Sequence, residues 1–272
     1  MNNLPFGISV VIPTFNRREP LIRAIESVST SMADRVEIIV VDDGSKEDPR
    51  DFLPTRNRYN VSVRCFRFER NRGVQSARNL GVRRSRFAFV AFLDSDDEFL
   101  PAKIDSAIDV LEAGNIDLLF HGTAGMSRYG RLARIWQTHL AFIPFTWLAS
   151  IYNPVVTPAL IVRRGNRLGP PSLRHCEDYA FLLHYCSHRT RVFFLDRELT
   201  RVHRAQGAAG GLSAARWQMR RGEFAARRVL LREPGVGAWL RFTLGSCAGA
   251  TRIVADLVRG RYRARPLSAD AS

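Results

Sequence analysis

The 272-residue chain predicts an α/β fold: a Rossmann-like, mostly parallel central sheet flanked by helices, with a basic helical extension near its carboxy-terminal end. Three observations carry that prediction. Short apolar runs, ISVVI at 8–12, EIIVV at 37–41 and FAFVAFL at 87–93, look like strands buried on both faces. Helix-like stretches separate them, as in strand–helix–strand crossovers. Polar residues follow each run, at Thr14–Arg17, Asp42–Ser45 and Asp94–Glu98, and the ends of parallel strands meet at one rim.

The elements follow in order. Pro13 ends the first strand, and the next helix carries Leu21, Ile25, Val28 and Met32 on one face. The second strand stops at Asp42-Asp43-Gly44-Ser45, a turn signal. Residues 61–68 make a third, less regular strand, and 73–83 a short helix entered through Asn71-Arg72-Gly73. After the strand at 87–93, Pro101 opens a helix that reaches Ala113. Residues 116–121 form a strand, 122–137 a hairpin around Tyr129-Gly130, 140–151 a short helix and 159–163 a strand, before a Gly/Pro-rich loop to Pro171. A helix at 177–187 precedes two short strands, 192–195 and 199–203, and a mobile loop at 206–211. Two basic amphipathic helices, 213–232 and 236–259, are split by Pro234-Gly235, and the tail from 261 is expected to be disordered.

Composition is ordinary for a globular protein, 46% hydrophobic and 25% charged, but the net charge is +15. Residues 1–120 hold 17 Lys+Arg and 18 Asp+Glu, whereas 121–272 hold 24 and 8. A basic half suits an anionic partner, although the use of only two lysines, Lys46 and Lys103, also points to a general arginine bias. Cys65, Cys176, Cys186 and Cys247 match no zinc or redox spacing and read as free thiols in a reducing cytosol. No signal peptide is expected, because the start lacks a basic region. The best candidate for a span, 238–258, contains Arg241, Arg252 and Asp256; each would cost about 2.5–3.5 kcal/mol at a bilayer centre, which argues against a span.

The acidic run Asp94-Ser95-Asp96-Asp97-Glu98 carries the chemistry. Four carboxylates within five residues repel one another and need a cation or open water. Two aspartates flanking one small residue offer hard oxygens to a divalent ion that also holds phosphates. A solvated acidic turn before the next helix fits the same residues.

Together the segments ISVVIPTFNR, VEIIVVDDGS, NRGVQSARNLG, FVAFLDSDDEFLP, NPVVTPALIVRR, HCEDYAFLLHY and LTRVHR resemble glycosyltransferase family 2, whose members have the GT-A fold. The resemblance covers roughly residues 7–204. It implies a non-processive, inverting, metal-dependent enzyme that moves a sugar from a nucleotide-sugar donor, with a lean to UDP, to an acceptor hydroxyl. Pro13, Thr14, Phe15, Asn16 and Arg17 match the loop that holds the base, and Asp43, with Asp42 beside it, the carboxylate that pairs with uracil. Arg78 and Asn79 match a triplet near the nucleotide, and Asp94 and Ser95 open the DXD motif at the ribose. Asp96, Asp97 and His203 match metal positions for Mn2+ or Mg2+, and Asp178 the catalytic base. Glu177 is read as an acidic helix start.

On this reading residues 1–212 form the GT-A unit, 1–120 its nucleotide-binding half and 121–212 its acceptor-side half; 213–260 are the helical extension and 261–272 the tail. Bacterial cell-surface polysaccharide or other glycoconjugate synthesis is implied, with a saccharide or lipid-linked saccharide as acceptor and a cytoplasmic location that extends to the inner membrane face. Two readings of the basic helices stand open: contact with an anionic membrane, or packing on the catalytic unit with basic faces outward. The alternative function is a weakly catalytic binder of nucleotide sugars or anionic polymers on the same fold. Gln218-Met219-Arg220-Arg221-Gly222 lacks the tryptophan of the processive QxxRW motif. An aspartate-nucleophile phosphatase also places DxD after an apolar strand, but Asp97 after it and its position at 94 argue against that class; a GxGxxG oxidoreductase and a nucleic-acid binder lack their motifs, and no nucleic-acid partner is expected.

Overall fold

The computed structural model describes residues 4–124, 127–165, 169, 173, 175–203, 216–232 and 235–258, with side chains from 131 and 217 onward in the two helices that begin at 127 and 216. Eight strands form one sheet: β1 (Ile8–Thr14), β2 (Val36–Asp42), β3 (Ser62–Arg67), β4 (Phe89–Phe92), β5 (Glu98–Phe99), β6 (Leu118–Ala124), β7 (Leu160–Arg163) and β8 (Val192–Arg201). Their order is β3-β2-β1-β4-β7-β6-β8-β5. The first four in that order are parallel throughout; β7 runs antiparallel to both β4 and β6, and β6 pairs in parallel with β8.

Every residue of β1, β2 and β4 is buried, as strands covered on both faces require. Side chains alternate between two cores. Val11, Ile39, Val41, Val90 and Phe92 face α2 (Val74–Arg84) and α6 (Glu177–Tyr185). Val10, Ile12, Ile38, Val40 and Ala91 face α1 (Arg18–Glu26) and α3 (Lys103–Ala113). Gly81 lets α2 lie close on β1: a Cβ there would come within 2.9 Å of Val11 Cγ2 and nearer still to Cγ1.

Three sequence expectations need correction. The hairpin at 122–137 is instead the end of β6 and a helix, α4 (Ser127–His139). Helical periodicity brings Ala133 and Trp136 to the core, and the Gln137 amide bonds both ways to the backbone of Phe194. The helix expected over 140–151 is confined to α5 (Phe145–Ile151), behind Pro144. The strands 192–195 and 199–203 are one strand, β8, whose register on β6 shifts at Gly122.

Near the carboxy-terminal end, α7 (Arg216–Arg227), a 3-10 turn (Arg228–Arg232) and α8 (Val236–Val258) pack on α5 and α6. The Arg227 guanidinium is wholly buried and donates to the carbonyls of Ser150 and Ile151. Trp136 is a core residue, whereas Trp217 and Trp239 are exposed. The cysteines are free: Cys176 and Cys186 are buried, Cys65 is half-buried and Cys247 exposed. No helix among the described residues is long and apolar enough to cross a membrane. The expected mobile loop at 206–211 and the tail from 261 lie outside the described residues.

Candidate active site

The parallel register brings the three polar strand ends together. Thr14 pairs with Asp42 across β1 and β2, and the Asp43 amide donates to Thr14 O at 2.9 Å. The Leu93 amide donates to Val11 O at 3.0 Å, which carries the acidic run to the same edge. Asn16, in the left-handed region at φ 52°, receives Lys46 N on its side-chain oxygen at 2.9 Å and donates its own amide to Ser45 Oγ at 2.8 Å. Arg17 reaches over to Asp96, Nη1 to Oδ2 2.6 Å. Phe15 stays largely exposed beside them.

Asp42 is buried, accepts from Ser45 N and Ser45 Oγ, and pairs with Arg67 at 3.3 Å. The Asp43 carboxylate receives the amides of Arg72 (2.7 Å) and Gly73 (2.9 Å), which fixes the entry to α2. Burial nevertheless holds its pKa above the ordinary aspartate range. The hydroxyl of Thr14, also buried, has no hydrogen-bond partner.

Arg78 connects the acidic run to the helix that bears Asp178. Its Nη2 lies 2.7 Å from Asp94 Oδ1 and its Nη1 3.3 Å from Glu177 Oε1. Glu177 and Asp178 open α6 immediately after Cys176, whose φ of +57° is costly for a residue with a side chain. Burial raises the pKa of both acids, Glu177 to about 7, with the charge of Asp178 adding to the effect and Arg78 opposing it. Asp178 Oδ1 accepts the Tyr179 amide at 2.8 Å, and Oδ2 lies 3.5 Å from Thr157 Oγ1.

Asp178 and Arg78 line a small cleft with Gln75, Phe92, Val155, Thr157 and Leu160 among its other walls. Two buried polar atoms here, Gln75 Oε1 and Arg78 Nε, have no partner. Unpaired buried polar atoms are rare in folded proteins and are expected where a ligand completes them. Gln75, Thr157 and the bridging role of Glu177 escaped the sequence reading. A buried arginine beside acids 16 and 99 residues away leaves no local pattern.

Asn79 is brought less directly to the cleft. Its amide is engaged by Gly169, Nδ2 to O 2.8 Å, and by Gln75 Nε2 at 2.9 Å, so it holds the chain near 169. His203 offers its backbone amide to Asp97 (3.1 Å), while its ring bonds Glu98 (2.9 Å). Ser95 is buried between the two acids of the motif. Asp97 is buried too, and desolvation together with Asp94 and Asp96 pushes its pKa up to about 7. A crowded set of carboxylate oxygens held against charge repulsion is the donor chemistry that suits Mg2+ or Mn2+. No group of three His, Cys, Asp or Glu among the described residues is arranged to hold an ion by itself.

A mixed sheet with this acid-rich rim at the ends of β1, β2 and β4 defines a GT-A fold. The chain belongs to glycosyl transferase family 2, whose sequence profile matches residues 9–164. A glycosyltransferase of Rickettsia felis without an assigned role is 30% identical over 206 residues, 74% of this chain and 33% of that protein. The succinoglycan biosynthesis protein ExoO of Rhizobium meliloti is 30% identical over 148 residues, 50% of this chain and 39% of that one. The chain thus spans about a third of the curated relatives it first matches. Two solved structures share the fold. S. aureus TarS 1–349 in complex with UDP-GlcNAc superposes with a TM-score of 0.65 at 17% identity, over 85% of this chain and 68% of that one. The mannosyltransferase PcManGT of Pyrobaculum calidifontis, in complex with GDP-Man and Mn2+, gives 0.64 at 14%, over 97% and 78%.

Proposed function

We propose that this chain is a metal-dependent, inverting glycosyltransferase that moves one sugar, or a few, from a nucleotide-sugar donor to an acceptor hydroxyl in bacterial polysaccharide or glycoconjugate synthesis. The observation that carries this is the Arg78 bridge, which ties Asp94 of the DXD motif to the Glu177-Asp178 pair beside one cleft. The likeness to a UDP-GlcNAc complex supports UDP as the base-bearing part, and the likeness to ExoO supports polysaccharide synthesis. The acceptor is a saccharide or lipid-linked saccharide presented at the cytoplasmic face of the membrane. Residues 1–212 form the catalytic unit and 213–260 its helical extension.

The base is held in the loop Pro13–Arg17, where the unpartnered Thr14 hydroxyl awaits a polar group, and against Asp43. Asp94 and Ser95 face the ribose. Asp96 and Asp97 would hold the divalent ion through hard carboxylate oxygens, with His203 as a further candidate. When bound, the ion neutralises charge on the departing diphosphate. Asp178 removes the proton from the acceptor hydroxyl, and burial, which raises its pKa, makes it a stronger base than an exposed aspartate. Attack from the side opposite the diphosphate inverts the anomeric carbon.

A screen of sugar nucleotides with Mn2+ or Mg2+, read as thermal shift and as diphosphate release, tests the proposal. The expected result is binding that chelation removes and that Asp96→Ala abolishes. In Asp178→Asn, binding persists while transfer falls about 10²–10⁴-fold. Undiminished transfer by that variant would take the base role from Asp178.

A further inference from the structure

The surface of α8 is inverted with respect to charge. The helix has three charged residues, and all turn inward. Arg241 and Asp256 are buried, Asp256 paired with Arg220 at 2.8 Å. Arg252 is half-buried and donates to Ile151 O and Glu223. At 100° per residue they fall within an arc of about 60°. The exposed residues fill a separate arc of about 160° that holds no charge. Val236, Trp239, Leu240, Leu244, Val254 and Leu257 lie on it, each about half exposed or more, with Trp239 at 59%. Over its 23 residues the helix carries this strip for about 35 Å. Thr243, Cys247, Ala250 and Thr251 are exposed on the same arc, so the large apolar side chains gather toward its two ends, and such exposed apolar groups mark an interaction site.

Charge decides between occupants. A second copy would bring another net charge of +15 against the first. Arg221, Arg228 and Arg232 are exposed on the preceding elements, and the sequence continues beyond Val258 through Arg259, Arg261, Arg263 and Arg265. An apolar strip accompanied by arginines complements a surface that is oily within and anionic at its headgroups. We propose that α8 lies in the interface of an anionic bilayer, its uncharged arc among the acyl chains and its inward arginines serving only to fasten it to the domain. This deepens the membrane-side part of the proposed function by naming the surface that makes contact. These inward contacts explain how one helix can be apolar outside yet charged within: Arg241 and Asp256 are buried against the domain, and Arg252 is held by Ile151 O and Glu223.

Vesicle co-sedimentation of the full chain, without donor, tests this independently of catalysis. Vesicles of phosphatidylcholine mixed with phosphatidylglycerol are expected to bind at least about tenfold tighter than phosphatidylcholine alone. Leu240→Glu combined with Leu244→Glu should lower that affinity about tenfold or more while leaving the melting temperature unchanged, since both side chains are exposed. In a Cys65→Ser background, a polarity-sensitive dye on the exposed Cys247 thiol should shift to the blue on mixed vesicles. Absence of sedimentation, equal binding by the double variant, or a vesicle-free dimer that the double variant dissociates would overturn the proposal. Donor binding measured on the same protein reports separately on the glycosyltransferase reading.

Discussion

Arg78 Nη2 lies 2.7 Å from Asp94 Oδ1, and the contact joins a helix that follows the third strand to the acidic motif that follows the fourth. The arginine is buried and its Nη1 faces Glu177. One side chain therefore sets the spacing between the DXD motif and the start of α6.

Removing that charge should be costly. Arg78→Met leaves Asp94 and Glu177 facing each other without their cation, and breaking such a buried pair typically costs about 3–5 kcal/mol. A urea titration of the variant against the parent measures it. Adding Glu177→Gln to Arg78→Met should restore part of the loss, because one of the stranded charges is then gone. Equal stability of Arg78→Met and the parent would show that the bridge is not an energetic element of the fold.

The titration of Glu177 predicts a pH dependence. Its folded pKa, about 7, stands above the usual value of 4.5 because burial and Asp178 disfavour its charge. The folded state thus binds this proton more tightly than the unfolded chain. The resulting stability is complete below 4.5 and is lost as pH rises through about 7. The difference in melting temperature, parent minus Glu177→Gln, should fall as pH is raised from about 5 to about 8. A flat difference would mean that Glu177 titrates normally.

Gly81 should resist substitution. Its missing side chain is where α2 meets Val11, a stiff β-branched residue on β1. Gly81→Ala should destabilise by about 1–3 kcal/mol through overpacking, despite the better helix propensity of alanine. Val11→Ala in the same chain should recover part of that. Because Arg78 rides on the same helix, donor affinity should weaken with Gly81→Ala even though Gly81 does not line the cleft. Denaturation midpoints and donor titrations of the single and double variants check both effects.

Much of the first 120 residues was legible because its determinants are local. Apolar runs such as ISVVI and EIIVV announce strands buried on both faces, and the polar residues after each run announce the rim. The stretch after residue 120 was less legible. Residues 127–139 carry a Tyr-Gly turn signal, yet they form a helix because Ala133, Trp136 and Gln137 find partners on β8 and in the core. Tertiary packing overrode the local preference there.

The sequence by itself determined the family, the order of strands and helices along the first half, and the identity of the acids at the rim. Those follow from periodicity and from motifs a few residues long. Only the tertiary structure decided which way charged side chains turn. It set Arg78 between Asp94 and Glu177, engaged Asn79 with Gly169, and rotated Arg241, Arg252 and Asp256 beneath α8. The physical reason is that an ion pair between distant residues is fixed by what lies across the packed interface, and the sequence encodes that neighbour nowhere near the residue itself.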